Sequence, residues 1–157
     1  MAAQCLPCAT EVLPAAHWDP AHRVDRIALD FDARHRRRFR YTAQAGTEFL
    51  LDLPRAVVLQ QGDGLLLSDG RVVEVAAADE AVLNVTAATP AALVRMAWHI
   101  GNRHCPCQVE PTRLLIQNDH VIRDMLGKLG ATLRDVSEPF IPEGGAYGHG
   151  RTHSHAH

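Results

Sequence analysis

The sequence has no apolar run near the roughly 18 residues that a membrane-spanning helix needs, which argues against a helical membrane protein. Its first residues lack the basic stretch and sustained apolar core of a signal peptide, so we expect a cytoplasmic protein. With four cysteines and no export signal, we expect reduced thiols rather than a disulfide framework. The formal net charge of -2 gives no general attraction to nucleic acid.

Catalytic motifs are absent as well. The sequence has no Gly-rich phosphate loop, no His-Glu-x-x-His motif and no defensible Ser/His/Asp or Cys/His arrangement, so it does not indicate an enzyme. Histidine, in contrast, is abundant: there are 10 in 157 residues, and four of them fall within the last nine positions. Imidazole is the commonest protein ligand for nickel, copper and zinc ions. The composition therefore indicates a soluble metal-binding protein.

Hydrophobic patterning predicts two domains and a tail. Residues 1–78 contain short alternating segments separated by Asp-Gly turns, which is typical of a small all-β domain. Residues 79–142 alternate between strand and helix patterns and predict a ferredoxin-like βαββαβ domain. Residues 143–157 are too polar and Gly-rich to form a core, and we expect a disordered His-rich tail.

In the first domain we expect a loose stretch up to His22, and strands at residues 24–30, 34–41, 47–53, 56–59, 64–67 and 71–76. In the strand at 34–41, alternation places four arginines on one face. That face either marks a surface for an acidic partner or is a solvated strand face whose charges block edge-to-edge pairing. The four arginines are Arg34, Arg36, Arg38 and Arg40.

In the second domain Thr89 and Pro90 begin a helix that we expect to end at Gly101. A second helix begins after Asn118 or Asp119 and ends at Gly130. The strands are predicted at 81–87, 107–110, 114–116 and 132–136.

His104 follows the first helix by three residues and therefore lies in a turn. One imidazole does not hold a metal ion, but a two-fold dimer would bring two copies of His104 together near the axis. The alternative is a turn histidine without a metal. His99, in the last turn of the helix, favours the helix C-terminus electrostatically, and we interpret it as structural.

Three further residues in this domain are candidate ligands. Cys105 and Cys107 adjoin His104, and thiolates attract zinc or copper(I) more strongly than nitrogen ligands do. Cys107 could equally be a core residue. His120, with Asp119, could form a peripheral site, or Asp119 could simply cap the helix.

The tail carries the strongest signal. Residues spaced two apart share one face of an extended chain, so two or three tail imidazoles can close on one ion. The tail histidines are His149, His153, His155 and His157. We expect modest affinity, because ordering the segment opposes binding.

The run His-Ile-Gly-Asn-Arg-His at 99–104 resembles the His-Leu-Gly-Asn-Arg-His signature of the UreE family, the urease accessory nickel chaperones. Pro106, Gln108 and Pro111 match that family's Pro-x-Gln and following Pro. The resemblance continues at Asp-His-Val 119–121, at Met-Leu 125–126 with Leu-Gly 129–130, and at 139–147.

The resemblance implies a homodimer that delivers Ni²⁺ to apo-urease together with other accessory proteins, including a GTPase. It also implies that the N-terminal β domain, residues 1–78, binds partner proteins or peptides. It implies that His104 is the metal ligand at the dimer interface. The family's peripheral His-Asp-His falls on 118–120, where Asn118 replaces the first histidine. A different class of function is a copper or zinc buffer that has no delivery partner, for which Cys105 and Cys107 are the best support. A third is a zinc hydrolase using His104, Asp119 and His120, which the spacing permits but does not suggest.

Overall fold

A computed structural model describes residues 5–144, which divide into one unit ending at Ala78 and a second unit, Asp79–Gly144. Most of the predicted tail, with its four histidines, lies outside the described residues. In the described part no helix is long and apolar enough to cross a membrane.

The first unit is a curled, mixed β-sheet. Its strands are β1 (Cys8–Leu13), β2 (Arg23–Leu29), β3 (Arg38–Thr42), β4 (Glu48–Asp52), β5 (Gly64–Leu67) and β6 (Val72–Ala77), in the sheet order β2-β6-β5-β1-β4-β3. Two 3-10 turns, Pro20–His22 and Ala33–His35, are its only helical segments within the described residues. Apolar residues of every strand meet inside the curl, where Phe49, Leu51 and Leu65 are completely buried.

Asp25 fixes the curl of the sheet. Its buried carboxylate accepts hydrogen bonds from the backbone N–H groups of Arg26 at 2.7 Å, Ala45 at 2.8 Å and Thr47 at 3.1 Å. The backbone N–H of Gln44 also donates to the carbonyl of Arg26. The turn between β3 and β4 is thereby held against β2, although β2 and β3 are at opposite ends of the sheet order.

Three expectations for this unit are wrong. The stretch before His22 is not loose throughout, because β1 lies inside the sheet, parallel to β4 and antiparallel to β5. Residues 34–41 are not one strand: Arg34 belongs to a 3-10 turn and is 1% exposed, because the chain turns inward there to pack Phe31 and Ala33. Residues 56–59 form no strand, and Leu59 is buried from a loop instead.

The second unit has the predicted element order β-α-β-β-α-β. Its elements are β7 (Asp79–Thr86), α1 (Pro90–Asn102), β8 (Cys107–Val109), β9 (Leu114–Gln117), α2 (His120–Lys128) and β10 (Thr132–Pro139). The sheet order is β10-β7-β9-β8 with every pair antiparallel, which is the arrangement of a split βαβ unit.

Both helices begin as the sequence predicts. Thr89 accepts a hydrogen bond from the N–H of Ala92, and Asp119 caps α2. One face of each helix packs on the sheet and buries Leu93, Met96 and Ile100 of α1, and Ile122 and Leu126 of α2. The helix α1 does not end at Gly101 as predicted. It continues to Asn102, and the left-handed residue that follows it is His104.

Candidate metal centre

The end of α1 positions His104. The N–H of His104 donates to the carbonyl of Gly101 at 2.9 Å, and the N–H of Cys105 donates to the carbonyl of Ile100 at 3.3 Å. This pair of bonds is the Schellman motif, in which the residue after the C-cap adopts a left-handed conformation. His104 occupies that position with φ 57° and is the only non-glycine residue with positive φ among residues 5–144.

The end of α2 has the same type of turn as the end of α1. It closes with the same two bonds, from Gly130 to Gly127 at 3.1 Å and from Ala131 to Leu126 at 3.0 Å. There the left-handed residue is Gly130, with φ 89°, which carries no Cβ penalty. Histidine is enriched several-fold in this region among non-glycine residues, yet it still carries strain there. The His104 side chain is exposed at this turn.

His99 and Trp98 precede this turn. The His99 ring is half-buried and lies edge-on to the Trp98 ring, with ring centroids 5.0 Å apart. His99 therefore lies in a packed environment, whereas the side chain of His104 is exposed.

The start of α2 lies beside the end of α1. The Arg103 Nε donates to the Met125 Sδ at 3.1 Å, which links the two helices. Asp119 accepts hydrogen bonds from the N–H groups of Val121 and Ile122 at 2.8 and 3.1 Å, and the bond from Ile122 is the main reason that its pKa is lowered. The charge of the Asp119 carboxylate also raises the pKa of the Cys105 thiol, so these two groups lie at the same end of the unit.

His120 is exposed in the first turn of α2. It lines a surface groove of about 520 Å³ together with Arg123, Asp124, Gly127, Lys128 and Leu133. The only carboxylate in this groove, that of Asp124, already pairs with Lys128 at 2.9 Å. Asp119, the predicted partner of His120, uses its carboxylate to cap the N-terminus of α2.

Cys105 and Cys107 both turn toward the core of the second unit and pack against its apolar cluster. Burial raises the pKa of the Cys105 thiol, and the carboxylate of Asp119 raises it further. Burial also raises the pKa of Cys107, to about 11, with a smaller contribution from Glu143. Both groups are thiols rather than thiolates at neutral pH, which favours a packing role over a ready-made thiolate site.

The segment after β10 runs to this same end of the unit. Phe140 is completely buried, the N–H of Ile141 donates to the Gln108 Oε1 at 2.8 Å, and the N–H of Glu143 donates to the carbonyl of Cys107 at 2.8 Å. Gln108 is itself held by Glu110 at 2.8 Å. The last described residues thus lie alongside β8, three residues from His104 in sequence.

The antiparallel topology explains this convergence. The end of α1, the start of β8, the end of β9, the start of α2 and the end of β10 all lie at one end of the sheet. Even so, no three His, Cys, Asp or Glu side chains among residues 5–144 form a group able to hold a metal ion. A site at His104 with three or more such ligands would need ligands from outside residues 5–144 of one chain.

Two features of this region were not predicted from the sequence. Val94 and Trp98, one turn apart on α1, are 69% and 63% exposed. Helical periodicity places them on a different face from the buried Leu93 and Met96, so the sequence does contain a signal for this exposed pair. The bond from Arg103 to Met125 carries no local sequence signal, since 22 residues separate the partners.

Comparison with known proteins covers nearly the whole chain. Residues 9–78 match the UreE urease accessory protein N-terminal domain, and residues 80–157 match the UreE urease accessory protein C-terminal domain. The chain is 54% identical over 152 residues to the urease accessory protein UreE of Ruegeria pomeroyi, covering 97% of this chain and 99% of that protein. It is 52% identical to the urease accessory protein UreE of Rhodobacter capsulatus, covering 95% and 92% of the two chains.

The chain belongs to the UreE urease accessory protein family. The resemblance noted in the sequence is thus confirmed, and with it a role in urease maturation. The UreE signature at 99–104 coincides with the Schellman turn, so its glycine lies within the helix and its second histidine takes the left-handed position.

Proposed function

We propose that the chain is a nickel metallochaperone that binds Ni²⁺ at His104 and delivers it to apo-urease, acting with other urease accessory proteins, including a GTPase. The observation that carries this proposal is the exposed, left-handed His104 at the end of α1. A strained residue at an exposed position is a pointer to function, since glycine would fill the same turn with less strain. An exposed neutral imidazole is free to donate its lone pair to a metal ion.

We propose that a homodimer supplies the second imidazole. Val94 and Trp98 form an exposed apolar strip on the helix that ends in the His104 turn. Exposed large apolar side chains in a contiguous strip mark interaction surfaces. A two-fold axis close to this strip would bring together the two His104 side chains and double the number of ligands.

We propose that the tail supplies the remaining nitrogen ligands and captures nickel. The N–H bond of Glu143 to Cys107 fixes the start of the tail near β8. His149 follows Glu143 by six residues, a span of up to about 20 Å when extended. The histidines at 149, 153, 155 and 157 can therefore reach a metal ion bound at His104. In the same proposal, His120 is a peripheral ligand whose site is completed by tail histidines.

Native mass spectrometry with nickel tests these proposals. The full chain should bind nickel as a dimer, His104→Ala should lose the tightest site and remain a dimer, and a chain ending at Gly145 should bind fewer nickel ions per dimer. His99→Ala is the matched control, because it removes an imidazole from the same helix end but not from the site. Equal tight nickel binding by His104→Ala and the unaltered chain would contradict the assignment of His104.

A copper or zinc buffer remains the second candidate, because two sulfur atoms lie within three residues of His104. Both cysteines pack against the apolar cluster of the second unit, which supports a core role for them instead. Recovery of urease accessory proteins with the tagged chain from a urease-producing cell supports delivery. Their absence, together with copper or zinc bound at the cysteines, supports the buffer.

A further inference from the structure

After β10 the chain passes from one edge of the second unit's sheet to the other. β10 and β8 are the two outer strands of this four-stranded sheet, yet residues 140–143, which we name the crossing segment, bond to β8. Phe140 is completely buried, and the N–H of Glu143 donates to the carbonyl of Cys107 at 2.8 Å. Cys107 follows His104 by three residues. The crossing segment therefore brings the origin of the tail to the end of the unit that carries His104.

The side chain of Gln108, in β8, holds the middle of the crossing segment. Its Oε1 accepts a hydrogen bond from the N–H of Ile141 at 2.8 Å, and its Nε2 donates to the Glu110 Oε1 at 2.8 Å. The hydrogen bond from Arg113 lowers the pKa of the Glu110 carboxyl, which is therefore ionised and can only accept hydrogen bonds. The NH₂ group of Gln108 must face Glu110, so its carbonyl oxygen faces Ile141. The neighbouring carboxylate thus fixes the orientation of the amide.

Glu110 is in turn held by a bridge that reaches β10. The Arg113 Nε donates to the Glu110 Oε2 at 2.7 Å, and its Nη2 donates to the Glu110 Oε1 at 3.0 Å. The same guanidinium donates to the two carboxylate oxygens of Glu138 at 2.6 and 3.0 Å, and Glu138 lies in β10. A continuous set of side-chain bonds therefore joins Glu138 to Ile141, only three residues further along the chain. The set runs through Arg113, Glu110 and Gln108.

We propose that Gln108 is a positioning residue that holds the crossing segment on β8 and so keeps the tail histidines close to a metal ion at His104. This inference rests on the function proposed above. With the crossing segment in place, the last anchored residue is Glu143, and His149 follows it by six residues. With the segment released, the last anchored residue is Pro139 at the end of β10. That point is ten residues from His149 and lies at the opposite edge of the sheet.

Release of the crossing segment lowers the effective concentration of the tail at His104. Effective concentration falls roughly as the −3/2 power of linker length, so lengthening the linker from six to ten residues reduces it about twofold. Adjacent strands lie about 4.8 Å apart, so moving the origin of the tail across three strand spacings displaces it by roughly 14 Å. The two effects act in the same direction. We expect the tail-dependent affinity for nickel to fall at least about threefold.

Amide hydrogen exchange of the metal-free full chain, measured by NMR, tests the anchor without nickel. Gln108→Leu should speed exchange at Ile141 and Glu143 about fivefold, because one hydrogen bond fewer holds the segment closed. Exchange in β7 should stay unchanged, which shows that the sheet is intact. Gln117→Leu is the matched control, since it makes the same replacement in β9 at a side chain that forms no hydrogen bond with residues 5–144. Unchanged exchange at Ile141 and Glu143 in Gln108→Leu overturns the proposal.

Exchanging the two polar side chains tests the hydrogen bonds themselves. Q108E alone places a carboxylate beside Glu110 and should release the crossing segment as Q108L does. In Q108E with E110Q, the carboxylate introduced at position 108 can accept bonds from the N–H of Ile141 and from the amide introduced at position 110. The double variant should recover amide protection at Ile141 to within about twofold of the unaltered chain. Exchange as fast as in Q108E alone overturns the assignment to Gln108.

Nickel calorimetry on full chains and on chains ending at Gly145 separates this inference from the proposed function. Gln108→Leu should weaken nickel binding at least about threefold in the full chain and leave the shortened chain unchanged. Equal weakening in both chains, or no weakening in the full chain, overturns the inference and leaves the tail and His104 as nickel ligands. If the unaltered full and shortened chains bound nickel equally, the proposed role of the tail would fail together with this inference. Tight binding that survives His104→Ala contradicts the proposed function alone.

Discussion

Replacing His104 with glycine should stabilise the metal-free protein while it removes the tight nickel site. The left-handed conformation costs a non-glycine residue roughly 1–2 kcal/mol, and His104 holds it with φ 57°. Glycine avoids that cost but loses about 0.5–1 kcal/mol through greater freedom in the unfolded chain. The net expectation is an increase of about 0.5–1 kcal/mol in the free energy of unfolding.

The structure supports the assumption that little else is lost. The His104 side chain is exposed and forms no hydrogen bond or ion pair with any residue in the range 5–144. Its backbone bond to Gly101 is retained by any residue at this position except proline. His104→Ala is the control, because alanine keeps a Cβ and therefore keeps the strain. It should change the free energy of unfolding by less than about 0.5 kcal/mol.

Urea denaturation of the metal-free chain, followed by circular dichroism, measures the effect, and nickel calorimetry on the same samples measures binding. Gly130→Ala provides the converse measurement, since it imposes a Cβ on the equivalent position of α2, where φ is 89°, and should destabilise by about 1 kcal/mol. If His104→Gly proved no more stable than His104→Ala, the reasoning from strain would be refuted. If it bound nickel as tightly as the unaltered chain, the metal assignment would be refuted.

Three other predictions follow from the described contacts. Asp25→Asn should destabilise by about 1–3 kcal/mol at pH 7, because an amide cannot accept all three backbone N–H bonds. Burial raises the pKa of the Asp25 carboxyl, but the hydrogen bonds outweigh burial and lower the pKa below 3.8. The stabilisation by the ionised carboxylate is therefore present above that pH and is lost as the pH falls further. In urea denaturation, the difference in stability between the unaltered chain and Asp25→Asn should shrink in acid. Cys107, with a pKa raised to about 11 by burial, should react slowly with iodoacetamide at pH 8 and faster as the pH approaches 11, as mass spectrometry of the labelled peptide would show; rapid labelling at pH 8 would contradict its burial. Arg113→Ala should destabilise the protein by about 1 kcal/mol, and by less in high salt, because Glu110 and Glu138 lose their shared partner. Urea denaturation in low and high salt measures this effect. An unchanged midpoint would show that the ion pairs contribute nothing to stability.

Local sequence signals determined much of the second unit. The caps at Thr89 and Asp119 and the 3.6-residue periodicity of α1 and α2 act within a few residues, so they predicted both helices and the order of the elements. The position of His104 in a turn was predicted in the same way. The family was evident from motifs alone, because the signature at 99–104 is short and contiguous.

Only the tertiary structure decided which residues meet. The sheet position of β1, between β4 and β5, depends on partners about 40 to 60 residues away, and no pattern within Cys8–Leu13 specifies them. Arg34 belongs to an alternating charged run, yet a 3-10 turn carries it inward, because burying its apolar neighbours outweighs the local strand pattern. The left-handed backbone of His104 and the convergence of Cys105, Asp119 and Glu143 at one end of the sheet likewise depend on helix ends and strand order. These contacts join distant parts of the chain, and their free energy appears only when the whole unit packs.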